Sequence, residues 1–190
     1  MKIFLINPLY KHQINNKYER YYIRSGSRWP HSGVKIKGTL PHYLPFPFFL
    51  AYSASLFKKE GYEVHVMDAI ALDISEERLL KKIKDIKPHI IFYEVTTPTI
   101  KYDLLLAKKI KEISGSTIAI GGAHASFFAS QILMENKSID FILKGEYEWS
   151  LLGLAKCIEK RDDDFSLGLV FRNGREIIDK GYPSLVEPLD

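Results

Sequence analysis

Residues 88–99 read PHIIFYEVTTPT, and the punctuation of that stretch decides the fold. An apolar run over 89–95 stops at two threonines, a proline and a third threonine, and an amphipathic pattern over 103–113 follows. A short apolar run closed by turn residues and followed by a helix is the pattern of a buried parallel strand entering a βα unit. In parallel sheets ligands bind beyond the carboxyl ends of the strands. Thr96, Thr97, Pro98 and Thr99 stand at that end, so this turn is the first place to look for function.

Moving outward, 75–87 reads as an amphipathic helix. Leu79, Leu80, Ile83 and Ile86 share a face, Glu76 and Glu77 suit the positive end of the dipole, and Pro88 stops it. Residues 63–67 (EVHVM) read as a strand ending at Asp68, and 2–6 as a first strand closed by Asn7-Pro8. Residues 46–60 are apolar nearly all round and end at Gly61, which predicts a buried helix with a glycine stop. On the other side, 117–120 predicts a fourth strand running into Gly121-Gly122, then a helix over 127–135. A fifth strand over 140–143 leads through Lys144 to Gly145-Glu146, and Leu151, Leu154, Ala155 and Ile158 stripe the next helix. Runs 167–172 and 175–178 flank Asn173-Gly174, a hairpin signal.

Strands alternating with helices imply an α/β fold, a doubly wound, flavodoxin-like or Rossmann-like parallel sheet. Five strands fit the order 2-1-3-4-5, with a C-terminal β-hairpin appended. The switch point then pairs Asn7-Pro8 with the Thr96 to Thr99 turn. The domain is expected over 1–181, with 182–190 beginning a linker. Residues 9–45 read as a long irregular insertion whose aromatics (Tyr18, Tyr21, Tyr22, Trp29, Tyr43) must pack on something. It serves either as a cover over a sheet edge or as a lid facing a ligand or partner.

Composition removes several classes. With 46% hydrophobic and 26% charged residues over 190 positions, the chain is an ordinary globular domain. The net charge of +4 comes largely from lysines on helix faces, without a basic block, so no nucleic-acid partner is expected. A single cysteine, Cys157, excludes an intrachain disulfide and cannot hold an iron–sulfur cluster; it reads as a buried inert thiol. No leader pattern precedes the first strand, and the longest apolar stretch, 46–57, is too short to span a bilayer. A cytoplasmic protein without a membrane partner is expected.

The strand ends carry the chemistry. Asn7 offers an amide beside the rigid Pro8. Thr97 and Thr99 offer hydroxyls that serve a ligand or cap the next helix. Gly121 and Gly122 remove two side chains where backbone could lie against a bulky ligand. Gly145 and Glu146 open a helix whose dipole alone would favour an acid. His124 follows the double glycine and is the histidine to examine. Asp68 either caps a turn or touches a ligand, since the glycine fingerprint of dinucleotide sites is missing. There is no GxxxxGK[ST], no clustered carboxylates of a receiver domain, no placeable nucleophilic triad and no metal-ligand spacing.

The ordered series Asn7-Pro8, Pro45-Phe46-Pro47, Leu50-Ala51-Tyr52, Gly61-Tyr62-Glu63-Val64, Asp68, Thr96-Thr97-Pro98-Thr99, Gly121-Gly122-Ala123-His124 and Gly145-Glu146-Tyr147-Glu148 resembles the amino-terminal cobalamin-binding domain of cobalamin-dependent radical S-adenosylmethionine (SAM) enzymes. The closing hairpin and the Leu189-Asp190 ending also match the stretch before that family's radical SAM barrel. The resemblance implies cobalamin bound across the carboxyl edge of the sheet, with its nucleotide tail buried among the strands. Thr96, Thr97 and Thr99 would line the tail pocket or contact the corrin, Gly121 and Gly122 would let the nucleotide approach, and Gly145 and Glu146 would border its far side.

The resemblance further implies a parent enzyme transferring methyl groups, most often to an unactivated carbon. SAM and a [4Fe–4S] cluster would belong to a C-terminal radical SAM domain of the same polypeptide, because CxxxCxxC is absent here. This chain alone is expected to perform no radical chemistry. The DxHxxG signature of methyl-transfer cobalamin proteins is absent too, as in radical SAM relatives, where the lower cobalt face typically lacks a His ligand. Glu94 stands where the wider fold often has Ser, and a buried carboxyl there must be protonated or paired. The rival readings are a flavodoxin-like interaction or regulatory module without a working cofactor site, and a nucleotide- or flavin-binding enzyme. Fold alone does not separate them.

Overall fold

The computed structural model describes residues 1–24, 32–162 and 164–183. Its chain order begins with β1 (Lys2–Asn7), β2 (Lys11–Gln13), β3 (Tyr18–Tyr22) and β4 (Ser32–Ile36). Then come α1 (Phe48–Lys59), β5 (Glu63–Asp68), α2 (Glu76–Ile86), β6 (Ile90–Glu94), α3 (Ile100–Ile113) and β7 (Thr117–Gly121). The remainder is α4 (Ala123–Phe127), α5 (Ala129–Glu135), β8 (Phe141–Leu143), α6 (Glu148–Lys160), β9 (Leu169–Asn173) and β10 (Glu176–Asp179).

Among the described residues the main sheet has seven strands in the order β10-β9-β8-β7-β6-β1-β5. Its five parallel strands take the predicted order 2-1-3-4-5, and β6 lies between β1 and β7. All five residues of β6 are buried, as a central parallel strand requires. The hairpin β9–β10 extends the sheet antiparallel to β8. Its two-residue loop is Gly174-Arg175, one position beyond the Asn173-Gly174 expectation, because Asn173 still pairs with Glu176. Gly174 at φ +62° takes the first central position, which favours glycine. Arg172 fastens the hairpin to the domain, donating through Nη1 to the Leu133 carbonyl at 2.6 Å and through Nη2 to that of Ile139.

One face of the sheet packs Phe4, Ile6, Ile91 and Ile118 against Leu79 and Ile83 of α2 and Leu106 and Ile110 of α3. The other packs Ile3, Leu5, Ile90 and Phe92 against Leu50 and Phe57 of α1 and Leu151 and Leu154 of α6. The first turns of α1, α4 and α6 line the groove at the carboxyl edge of the sheet.

Four expectations need correction. Residues 9–45 are not irregular throughout: β2, β3 and β4 form an antiparallel sheet. Two of its inward positions carry charge, Glu19 on β3 and Lys35 on β4, beside the buried Tyr21, so apolar alternation is broken. These charges pair with each other at 3.5 Å and join Lys11 and Asp73 in one network that latches the flap to the loop after β5. Trp29 lies outside the described residues. The helix over 46–60 is not buried all round, because Phe48, Phe49 and Tyr52 at its start are exposed. The helix over 127–135 is two short helices with a break at Phe128. Asp68 caps its turn: Oδ1 accepts from the backbone N–H groups of Ile70 and Ala71, both at 3.1 Å. Burial pushes its carboxyl up, and these bonds with that of Asn7 Nδ2 hold it down. Cys157 is half-buried, its thiol 3.4 Å from the Asp164 carbonyl.

Candidate functional site

Where β6, β7 and β8 end, their loops enclose a groove of about 920 Å³. Its floor is the backbone turn of Val95, Thr96, Thr97 and Pro98 together with Gly122; its far side is Gly145, Glu146 and Tyr147. Tyr43 and the first turn of α1, Phe48 and Phe49, supply aromatic surface, and Arg24 closes one end. A mostly apolar groove with a few placed polar groups is the composition of a site for a large amphiphilic ligand.

Eight of the twelve residues singled out from sequence line this groove: Glu94, Thr96, Thr97, Pro98, Gly122, His124, Gly145 and Glu146. The other four serve it from beneath or stand apart. Thr99 is fully buried under the turn, and its hydroxyl is engaged with Thr96 and Asp103. Gly121 is buried; a Cβ there would lie 2.9 Å from the Phe92 ring and 3.4 Å from Tyr147. Asn7 is buried in β1 and donates from Nδ2 to Asp68 at 3.1 Å, while the Pro8 carbonyl accepts from Arg24.

At the glycines the chain's own groups come close. At Gly122, φ is +100° and a Cβ would sit 2.7 Å from the Val95 carbonyl oxygen. At Gly145 it would meet Tyr182 at 3.3 Å. In each case the missing side chain lets protein approach protein, and the groove floor is shaped by that approach.

Glu94 is nearly buried and accepts a 2.6 Å hydrogen bond from the Tyr147 phenol, which meets the need for pairing. Thr97 Oγ1 lies 3.0 Å from His124 Nδ1, and the imidazole leans on Phe128. Burial pushes His124 below its usual value against the charge of Asp103, so its ring is neutral at pH 7. Burial pushes the Glu148 carboxyl up, its own and Tyr147's backbone N–H groups hold it down, and Glu146 adds to the upward push. Ser126 ties two rim loops together, donating to the Gly122 carbonyl at 3.0 Å and accepting from Gly145 N–H at 3.2 Å. Among the described residues no His, Cys, Asp and Glu group could hold a metal ion, and no helix is long and apolar enough to cross a membrane.

Residues 40–155, which include β6, β7, β8 and every groove residue but Arg24, match the B12 binding domain model. The chain belongs to the B12-binding domain family. It is 32% identical over 166 residues to the anaerobic magnesium-protoporphyrin IX monomethyl ester cyclase of Cereibacter sphaeroides, covering 83% of this chain and 26% of that protein. It is 27% identical over 146 residues to an uncharacterized methyltransferase of Pyrococcus horikoshii, covering 76% and 32%. Among solved structures, the radical SAM methyltransferase TsrM from Kitasatospora setae, with cobalamin and a [4Fe-4S] cluster bound, superposes with a TM-score of 0.67 at 16% identity. That superposition covers 99% of this chain and 30% of TsrM. A B12-binding domain with this sheet order therefore has cobalamin-dependent radical SAM enzymes as its structural neighbours, as the sequence series implied. The chain spans about a quarter to a third of the length of these proteins.

Nine lining residues are not among the twelve, and Arg24, Tyr43, Phe48, Phe49 and Tyr147 are the large side chains in that set. Phe48 and Phe49 had a signal, since aromatic residues at the first turn of an all-round apolar helix are too many for one buried face. Arg24 had none, because nothing local marks where the flap returns to the groove.

Proposed function

We propose that this chain binds cobalamin in the groove above β6, β7 and β8, as the cobalamin-binding unit of a radical SAM enzyme that methylates an unactivated carbon. Residues 1–181 form the unit, and 182–190, of which 184–190 lie outside the described residues, begin the linker to a radical SAM domain. The observation that carries the reading is the groove itself. Its volume, aromatic wall and backbone floor at Gly122 suit a ligand with a large apolar face and peripheral polar groups, and it falls inside the span of the B12 family match.

The residues present fit the group. Phe48 and Phe49 offer ring faces, while Thr96, Thr97, His124 and Ser126 offer hydrogen-bonding partners along the floor. Bound cobalamin would supply a cobalt centre able to accept and pass on a methyl group. The chain itself binds, orients and desolvates; the cluster and SAM belong to the parent protein.

Titrating the purified chain with aquacobalamin tests this. A shift in the visible absorption bands with stoichiometric co-elution is expected. No shift and no co-elution at millimolar ligand would favour an interaction module that lacks a cofactor site, and a yellow chain as isolated would favour a flavin.

A further inference from the structure

A chain of hydrogen bonds runs from the flap to the groove floor. The Arg24 side chain, two residues after β3, is wholly buried, as is that of Asp103 on α3. Arg24 Nη1 donates to the Pro8 carbonyl and Nη2 to Asp103 Oδ1 at 2.6 Å. Asp103 Oδ2 in turn accepts from Thr99 Oγ1 at 2.5 Å. Thr99 Oγ1 also lies 2.9 Å from Thr96 Oγ1 and accepts from the Thr96 backbone N–H at 3.2 Å.

The direction of each bond follows from counting protons. A threonine hydroxyl has one proton to donate. The short contact to the arginine-paired carboxylate takes the proton of Thr99, since a bond to an ionised acceptor is the stronger one. Thr99 Oγ1 is then an acceptor towards Thr96, so the Thr96 hydroxyl must donate to it. Thr96 lines the groove, and its remaining capacity there is a lone pair.

We propose that Arg24 and Asp103, acting through Thr99, fix Thr96 as a hydrogen-bond acceptor on the groove floor, so that the ligand group seated there is a neutral donor, a carboxamide or hydroxyl, and not an anion. Arg24, Asp103 and Thr99 are positioning residues in this scheme, and Thr96 is the contact. The inference rests on the reading of the groove as a ligand site and adds what chemistry that site accepts. It also makes the flap part of the site, because the charge that orders the chain comes from it.

Four variants test the order: Thr99→Val, Thr99→Ser, Thr96→Val and the Thr96→Val/Thr99→Val double. With aquacobalamin as probe, Thr99→Val and Thr96→Val each weaken binding about tenfold. Thr99→Ser, which keeps the hydroxyl, binds within about twofold of the parent. The double variant loses no more than either single one, since both cut the same chain. Tight binding by Thr99→Val, or losses that multiply in the double variant, overturns the proposal. A ligand-free arm separates this from the cofactor reading. Amide exchange at Thr96 quickens in Thr99→Val and not in Thr99→Ser. If the parent chain does not bind aquacobalamin the cofactor reading fails, and an unchanged Thr96 amide then removes the positioning chain as well. Should Thr99→Val fail to fold, Arg24→Lys replaces it. Lysine keeps the charge but cannot reach both Pro8 and Asp103 in the arginine geometry, and binding at parental strength would again overturn the proposal.

Discussion

The phenol of Tyr147 donates to Oε1 of Glu94 at 2.6 Å, joining the start of α6 to the end of β6 in the lining of the groove. The same ring packs on Phe92 at 4.5 Å between centroids. Tyr147→Phe keeps that ring contact and removes one donor from a nearly buried carboxyl group. The expected loss of stability is about 1–3 kcal/mol, read from urea unfolding at pH 7. An unchanged midpoint would mean that the bond contributes nothing to holding the two elements together.

Gly122 makes a sharper prediction. Its φ of +100° and the 2.7 Å approach of a Cβ to the Val95 carbonyl oxygen leave no relaxed way to accept a side chain. Gly122→Ala should lose about 1–3 kcal/mol and lower aquacobalamin affinity as the floor shifts. Gly115→Ala, at a position with open space and an ordinary backbone angle, is the control and should melt with the parent. Equal melting temperatures for the two variants would contradict the account of the floor.

The sequence was most readable where burial and periodicity agree. Residues 88–99 gave a buried central strand and a threonine turn at its carboxyl end because β6 is apolar on both faces, and a parallel strand needs nothing else. The order 2-1-3-4-5 followed from counting alternations. The flap was not readable, and Lys35 and Glu19 show why. They face inward on β4 and β3 and pair with each other, so on β4 the charge is buried while Val34 and Ile36 are exposed, and on β3 burial is shared between Glu19 and Tyr21. The site was legible to the extent that it is made of strand ends. Thr96, Thr97, Gly122 and Gly145 come from loops whose position the fold class dictates. Arg24 and Tyr43 reach the groove only through tertiary packing of the flap, for which no local pattern exists.

That same latch titrates. Burial works against the Asp73 charge, but Lys11 and Lys35 outweigh it and hold the carboxyl below its usual 3.8. Burial likewise works against the Lys11 charge, and Asp73 with Glu19 lifts the amine above its usual 10.5. A depressed carboxyl contributes stability that is complete above its unfolded value and lost as pH falls through the folded one. A raised amine contributes stability that is complete below its unfolded value and lost as pH rises through the folded one. The latch is therefore intact across neutral pH and opens in acid below about 4 and in alkali above about 10.5. Between pH 7 and pH 3 the parent should lose more melting temperature than Asp73→Asn. Parallel losses would place the acid sensitivity elsewhere.

Phe48 and Phe49 give the last prediction, and it turns on their exposure. They are 52% and 42% exposed at the start of α1 while lining the groove, so the folded chain draws little stability from their outer faces. A ligand with a large apolar face would cover them, and burying part of an aromatic side chain is worth about 1–2 kcal/mol. Phe48→Ser and Phe49→Ser should therefore each weaken aquacobalamin binding about tenfold while moving the melting temperature little. Tyr52→Ser removes a ring that is 59% exposed on the same helix but does not line the groove, and should bind as the parent does. If all three variants bind alike, the aromatic wall takes no part in holding the ligand. If the two phenylalanine variants lose stability in step with affinity, their role is to pack the helix and not to meet the corrinoid.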